Sequence, residues 1–140
     1  MFASQNQVRA DDGHPIFDVR SGERVNRARS VHIGDHVWLG FGAIVLAGAQ
    51  IGSGSVVGAA SIVTRRIPNN AVAVGSPAKV VRRHVAWERP HLGLVPPYCK
   101  ADSSTVTKSR YWSMTVEEER PPRFRMAKAA LRRMRTLRRR

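Results

Sequence analysis

A large aliphatic residue returns at every sixth position between residues 33 and 63: Ile33, Leu39, Val45, Ile51, Val57 and Val63. In that frame the chain reads IGDHVW, LGFGAI, VLAGAQ, IGSGSV, VGAASI. Second positions are Gly34, Gly40, Leu46, Gly52 and Gly58, and fifth positions are Val37, Ala43, Ala49, Ser55 and Ser61, none larger than valine. One sustained amphipathic helix is excluded, because turns of about 3.6 residues carry positions six apart to different faces. A plain strand accommodates an even period but has no use for glycine in a fixed phase. What fits is an all-β solenoid of polygonal cross-section, each hexad forming one short strand and one corner. The aliphatic points into the coil, the small fifth residue fits where backbones crowd, and the second-position glycine takes the corner dihedrals. A sixth unit opens at Val63 and is expected to be interrupted by the charged Arg65 and Arg66.

The flanks carry different text. Phe2 and Val8 stand six apart in the inward phase, after which the hexads stop. Residues 11–30 hold Gly13, Pro15, Gly22 and many charges, which reads as an extruded loop, and the period resumes at Ile33. The chain is therefore expected to begin partway through a solenoid, with upstream coils missing. Residues 1–83 form the expected solenoid domain and residues 84–140 an extension. In the extension Trp87, Pro90, Leu92, Leu94 and Tyr98 offer anchoring contacts for an irregular segment. A basic amphipathic helix is expected at about 122–139, where Ala127, Ala130, Leu131, Met134 and Leu137 share one face.

Charge follows the same division. The net charge of +14 splits into ten Lys/Arg against five Asp/Glu over residues 1–83, and fourteen against five over residues 84–140. A helix so basic either docks on its own protein or stays solvated, or else lies on an anionic membrane surface as a peripheral contact. Nucleic acid is not expected as a partner, because no binding module accompanies the charge. The single cysteine, Cys99, cannot form an intramolecular disulfide. With no secretory leader pattern and no bilayer-length apolar run, a cytoplasmic protein is the expectation.

The hexads, the preceding "DDGHPIFDVRSGERVNRA" and the following "VTRRIPNNAVAVGSPAKVVRR" resemble the hexapeptide-repeat acyltransferases, in the branch of maltose, galactoside and exopolysaccharide O-acetyltransferases. The resemblance implies a left-handed parallel β-helix with three hexads per coil, acetyl-CoA as co-substrate, a sugar or glycan hydroxyl as acceptor, and a homotrimer with active sites between subunits. It places the catalytic histidine on His14, in "DGHPIFD", where an imidazole would take the proton of the attacking hydroxyl. Asp12 and Asp18 both stay open as the group that orients it. The backbone N–H of Phe41, after Gly40, matches the oxyanion donor. Ala59, Thr64 and Arg65 match the coenzyme A groove, with Lys79 and Arg82 at its nucleotide end, where phosphate charge needs partners. Taken without the resemblance, these basic residues also read as a polar cap.

Trp38 reads equally well as a wall of the acceptor pocket or as a residue packed against a neighbouring chain. No metal is expected, so His32 and His36 are taken as neutral surface histidines rather than zinc ligands. Two alternatives to the O-acetyltransferase remain: a non-catalytic trimeric scaffold, and a metal-dependent hydratase of the carbonic anhydrase type on the same fold.

Overall fold

The computed structural model describes residues 1–91, 93, 94 and 96–115. The expected helix at about 122–139 and the anchor Leu92 lie outside the described residues. Strands are short and recur in threes. They are β1 (Gln7–Val8), β2 (His32–Ile33), β3 (Trp38–Leu39), β4 (Ile44–Val45), β5 (Gln50–Ile51), β6 (Val56–Val57), β7 (Ile62–Val63), β8 (Arg66–Ile67), β9 (Ala71–Val74) and β10 (Lys79–Arg83). They stack as three parallel faces, β3-β6-β9, β1-β4-β7 and β2-β5-β8, with β10 turning back antiparallel on β9. Trp38 pairs with Val56 and Ile44 with Ile62, eighteen residues apart, so three hexads make one coil.

Aliphatic first positions fill the coil. Leu39, Val45 and Val57 are fully buried, as are the fifth-position residues Ala43, Ala49, Ser55 and Ser61. The buried hydroxyls are partnered, Ser55 Oγ donating to Pro68 O at 2.7 Å and Ser61 Oγ accepting from Gly75 N at 3.0 Å. A buried polar group without such a partner would cost about 1–3 kcal/mol.

Two expectations change. Arg65 and Arg66 do not interrupt the solenoid: Val63 is followed four residues later by Ile67, which is buried in β8 and pairs with Ile51. A corner two residues shorter lets the chain turn and continue, so Gln50 pairs with Arg66 only sixteen residues on. Nor do second-position glycines take the corner dihedrals. Those fall on the fourth position, where Gln5, His36, Gly42, Gly48, Gly54, Ala60 and Asn70 all have positive φ. Second-position glycines answer a different need, the close approach of successive coils. A Cβ at Gly40 would sit 2.6 Å from Ala59 N and 2.9 Å from Val57 O, both backbone atoms.

The prism has three edges. One, between β3 and β4, carries Phe41. The second, between β4 and β5, lies under the point where residues 9–31 leave the solenoid. The third, between β2 and β3, carries His36. The segment from residue 84 to residue 115 straps across this third edge. His36 is stacked between Trp87 at 4.1 Å and Tyr111 at 4.5 Å between ring centroids. Trp87 Nε1 donates to His36 O at 3.0 Å, and His36 Nε2 meets Trp87 O at 2.9 Å. Asn70 adds donations to Val85 O and Tyr111 O, and accepts from Thr115 N. Thus His36 is no plain surface histidine, and Trp87 is an anchor as expected. Leu94 and Tyr98 are not anchors, at 78% and 64% exposed. No described helix is long and apolar enough to cross a membrane.

Candidate active site

His14 stands on a hairpin held away from the coils. Ala10 O accepts from Arg29 N at 3.0 Å and closes the neck. Within the loop Val25 N donates to Ile16 O, Asp18 N donates to Glu23 O, and Phe17 bridges Arg24 antiparallel. Asp18 accepts from Arg20 N and Ser21 N, and these backbone donors hold its carboxyl below the usual carboxylate range. That carboxylate is therefore committed to a turn. Asp12 is committed to Asn26, whose Nδ2 donates to it at 2.9 Å.

Asn26 is the residue that the sequence reading missed. Its Nδ2 also donates to His14 O at 2.8 Å, and its Oδ1 accepts from Ile16 N at 2.7 Å. One side-chain amide thus fixes the backbone at His14 and Ile16 and ties it to the Asp12 carboxylate. The partners it holds around His14 lie ten to fourteen residues back, so no local pattern could have marked it.

At the hairpin's foot is a cavity of about 450 Å³, lined among others by Asp12, Arg24, Asn26, Arg27, Arg29 and Thr64. It brings Thr64 to the His14 loop, and its three guanidinium groups against one carboxylate suit an anion. Arg65 follows Thr64 along the same edge and is exposed.

The remaining residues lie on other edges. Ala59 follows Phe41 up the first edge one coil on, with Ala60 N donating to Phe41 O at 2.8 Å. Among the described residues Phe41 N–H has no acceptor. Lys79 opens β10 just above that edge and pairs with Val74, whereas Arg82, paired with Val72, lies further across the face. Trp38 packs at a tilt on Trp87, 5.7 Å between centroids, and stays 37% exposed. Within one chain the structure brings Asp12 and Asn26 of the His14 loop to Thr64, and sets Phe41 on the edge that carries Ala59 and leads to Lys79. It does not bring the two groups together. Among the described residues no cluster of three or more His, Cys, Asp or Glu side chains could hold a metal ion.

Comparison with known proteins agrees with this architecture. Residues 30–65 match the family model for bacterial transferase hexapeptide (six repeats). The polysialic acid O-acetyltransferase of Escherichia coli O1:K1 / APEC is 44% identical over 89 residues, covering 64% of this chain and 29% of that protein. The crystal structure of the polySia specific acetyltransferase NeuO superposes with a TM-score of 0.60 at 44% identity, covering 61% of this chain and 39% of the other. A maltose O-acetyltransferase from Clostridium difficile 630 gives 0.51 at 37% identity, over 63% and 46%. The chain spans about a third of the length of the curated relatives it matches. Its period of six and its three parallel faces wind the chain as a left-handed β-helix similar in fold to these acetyltransferases, with the bacterial transferase hexapeptide pattern over residues 30–65.

Proposed function

We propose that this chain is an acetyl-CoA-dependent O-acetyltransferase acting on a sugar or glycan hydroxyl, assembled as a homotrimer. The observation that carries the reading is the separation of the site's halves onto two edges, while the third edge is covered by the chain's own strap. His14 leaves from one free edge, and the Phe41 N–H, Ala59 and Lys79 lie on the other. Joining the first edge of one chain to the second edge of the next makes a heterologous contact, which closes into a ring if the rotation permits. The hairpin favours such a contact: Ile16, Phe17, Val19 and Val25 are 54%, 56%, 98% and 61% exposed in the single chain.

In this reading His14 accepts the proton of the acceptor hydroxyl as its oxygen attacks the acetyl carbonyl. The Phe41 N–H donates to the oxyanion, and collapse of the intermediate expels the coenzyme A thiolate. Asn26 holds the imidazole's backbone in place, acting through His14 rather than on the substrate. Thr64 and Arg65 serve the pantetheine arm, and Lys79 and Arg82 the phosphates. The solenoid's relatives support the acetyl donor and sugar acceptor: the names of those described above include polysialic acid and maltose O-acetyltransferases.

The test is release of coenzyme A thiol from acetyl-CoA over a panel of neutral and anionic sugars. Turnover is expected with at least one acceptor, and His14→Ala should reduce it by about a hundredfold or more while the trimer persists. An intact trimer that releases no thiol with any acceptor would replace the enzyme with the scaffold reading.

A further inference from the structure

The strap frames an open cavity of its own, which the acetyl-transfer reading does not use. It measures about 480 Å³, and its lining includes Glu88, Lys100, Asp102, Thr105, Thr107 and Trp112. That size falls among small-ligand sites and accommodates roughly one or two sugar rings. The lining is held by specific bonds. Glu88 Oε1 accepts from Trp112 Nε1 at 2.6 Å and from Ser109 Oγ and N at 3.2 and 3.4 Å. All three donors converge on one carboxylate oxygen, and Oε2 has no partner among the described residues. The indole is fixed by that bond, with Lys108 Nζ standing 5.2 Å over its ring.

The remaining chemistry is mixed in a particular way. Asp102 accepts at Oδ1 from Ser104 N at 2.8 Å, and the Ser104 side chain also bonds this carboxylate. The carboxylates accept hydroxyl protons, the Lys100 ammonium donates to hydroxyl or ring oxygens, and the threonine hydroxyls do either. An aromatic wall suits the apolar C–H face of a pyranose. The two carboxylates balance the ammonium groups of Lys100 and Lys108, so the cavity has no excess positive charge to hold a polyanion.

We propose that this cavity is a binding subsite for a neutral glycan, separate from the transfer site. It sits next to Trp87, so it is joined through that residue to His36 and Trp38 on the coils. Glycan binding here is independent of acetyl transfer and would stand even if the transferase reading failed.

Full-length protein carrying His14→Ala, titrated with maltotriose and followed by saturation-transfer NMR, tests the proposal without turnover. Saturable binding is expected, with a dissociation constant of about 0.1–10 mM. Asp102→Ser, which keeps an acceptor for Ser104 N, and Lys100→Met should each weaken it about tenfold or more with unchanged near-UV circular dichroism. An oligomer of sialic acid should bind at least tenfold more weakly than maltotriose. The proposal is overturned by absence of saturation with maltotriose and with chitin or galactose oligomers. Affinity that neither substitution alters, or equal affinity for the sialic acid oligomer, would also overturn it.

Discussion

Leu39, Val45 and Val57 of the coils are fully buried in one apolar cluster, whereas Trp87, Glu88 and Tyr111 of the strap are only half-buried. The strap is instead held by ring stacking on His36, by the two amides of Asn69 and Asn70, and by Glu88. A coil residue is interchangeable in kind with the residue eighteen positions on, because both meet the same repeated surroundings. A strap residue meets its own particular partners and has no substitute. Damage to the coils should therefore spread through the stack, and damage to the strap should stay local.

The sharpest way to break the comparison is in the coils. Gly40→Val forces a side chain against the backbone of the next coil, and Leu39→Ala leaves a cavity at a fully buried site. Each should cost about 3 kcal/mol or more in urea-induced unfolding, the first for overpacking and the second for lost burial. If either left the midpoint unchanged, the coils would not be the cooperative unit.

Trp87→Ala should cost less and act elsewhere. It removes the stack on His36 and a hydrogen bond, worth about 2 kcal/mol of strap docking. Limited proteolysis should then cut within residues 84–115 many times faster, while the main unfolding transition of the coils moves little.

Acid should loosen the same contact by a smaller amount. Burial works to raise the Glu88 carboxyl, but the hydrogen bonds from Trp112 and Ser109 and the nearby His36 outweigh it and hold it below the ordinary carboxylate value. A carboxylate lowered on folding contributes stability above its unfolded pKa, and loses it as pH falls through the folded one. Protection of the Trp112 indole proton from exchange should therefore fall a few-fold as pH drops below the ordinary carboxylate range. Glu88→Gln should abolish that dependence; a variant that still follows the wild-type profile would point to another group.

The smallest effect returns to the coils and has the opposite sign. Ala60 holds a φ of +54° that L-residues adopt at a cost, so Ala60→Gly should relieve strain. Set against the greater chain entropy of glycine, a gain of about 0.5 kcal/mol is expected in thermal unfolding. A loss would mean that the Cβ at the corner contributes packing that outweighs the strain.

The period of six made the solenoid legible because it is a local rule: each hexad meets the same surroundings, so side-chain size alone reports position. The sequence reading placed the glycine requirement in the wrong phase, since a chain that lists glycines at two positions does not say which serves dihedral freedom and which serves clearance. His36 and Ala60, non-glycine residues in the fourth phase, resolve that only once φ is known. The candidate site was legible as residue types, His14 above all, through resemblance rather than through physics. Asn26 was not legible, because its partners lie on the far side of a loop.

By itself, then, the sequence determined the all-β solenoid, its inward residues and the loop that carries His14. Burial of an aliphatic at every sixth residue has one geometrical solution, and that loop breaks the period. Only the tertiary structure decided which edge each piece occupies, how the strap closes on His36, and what holds the His14 loop. Those depend on where a corner shortens by two residues and on contacts between residues far apart in the chain, and neither leaves a periodic trace.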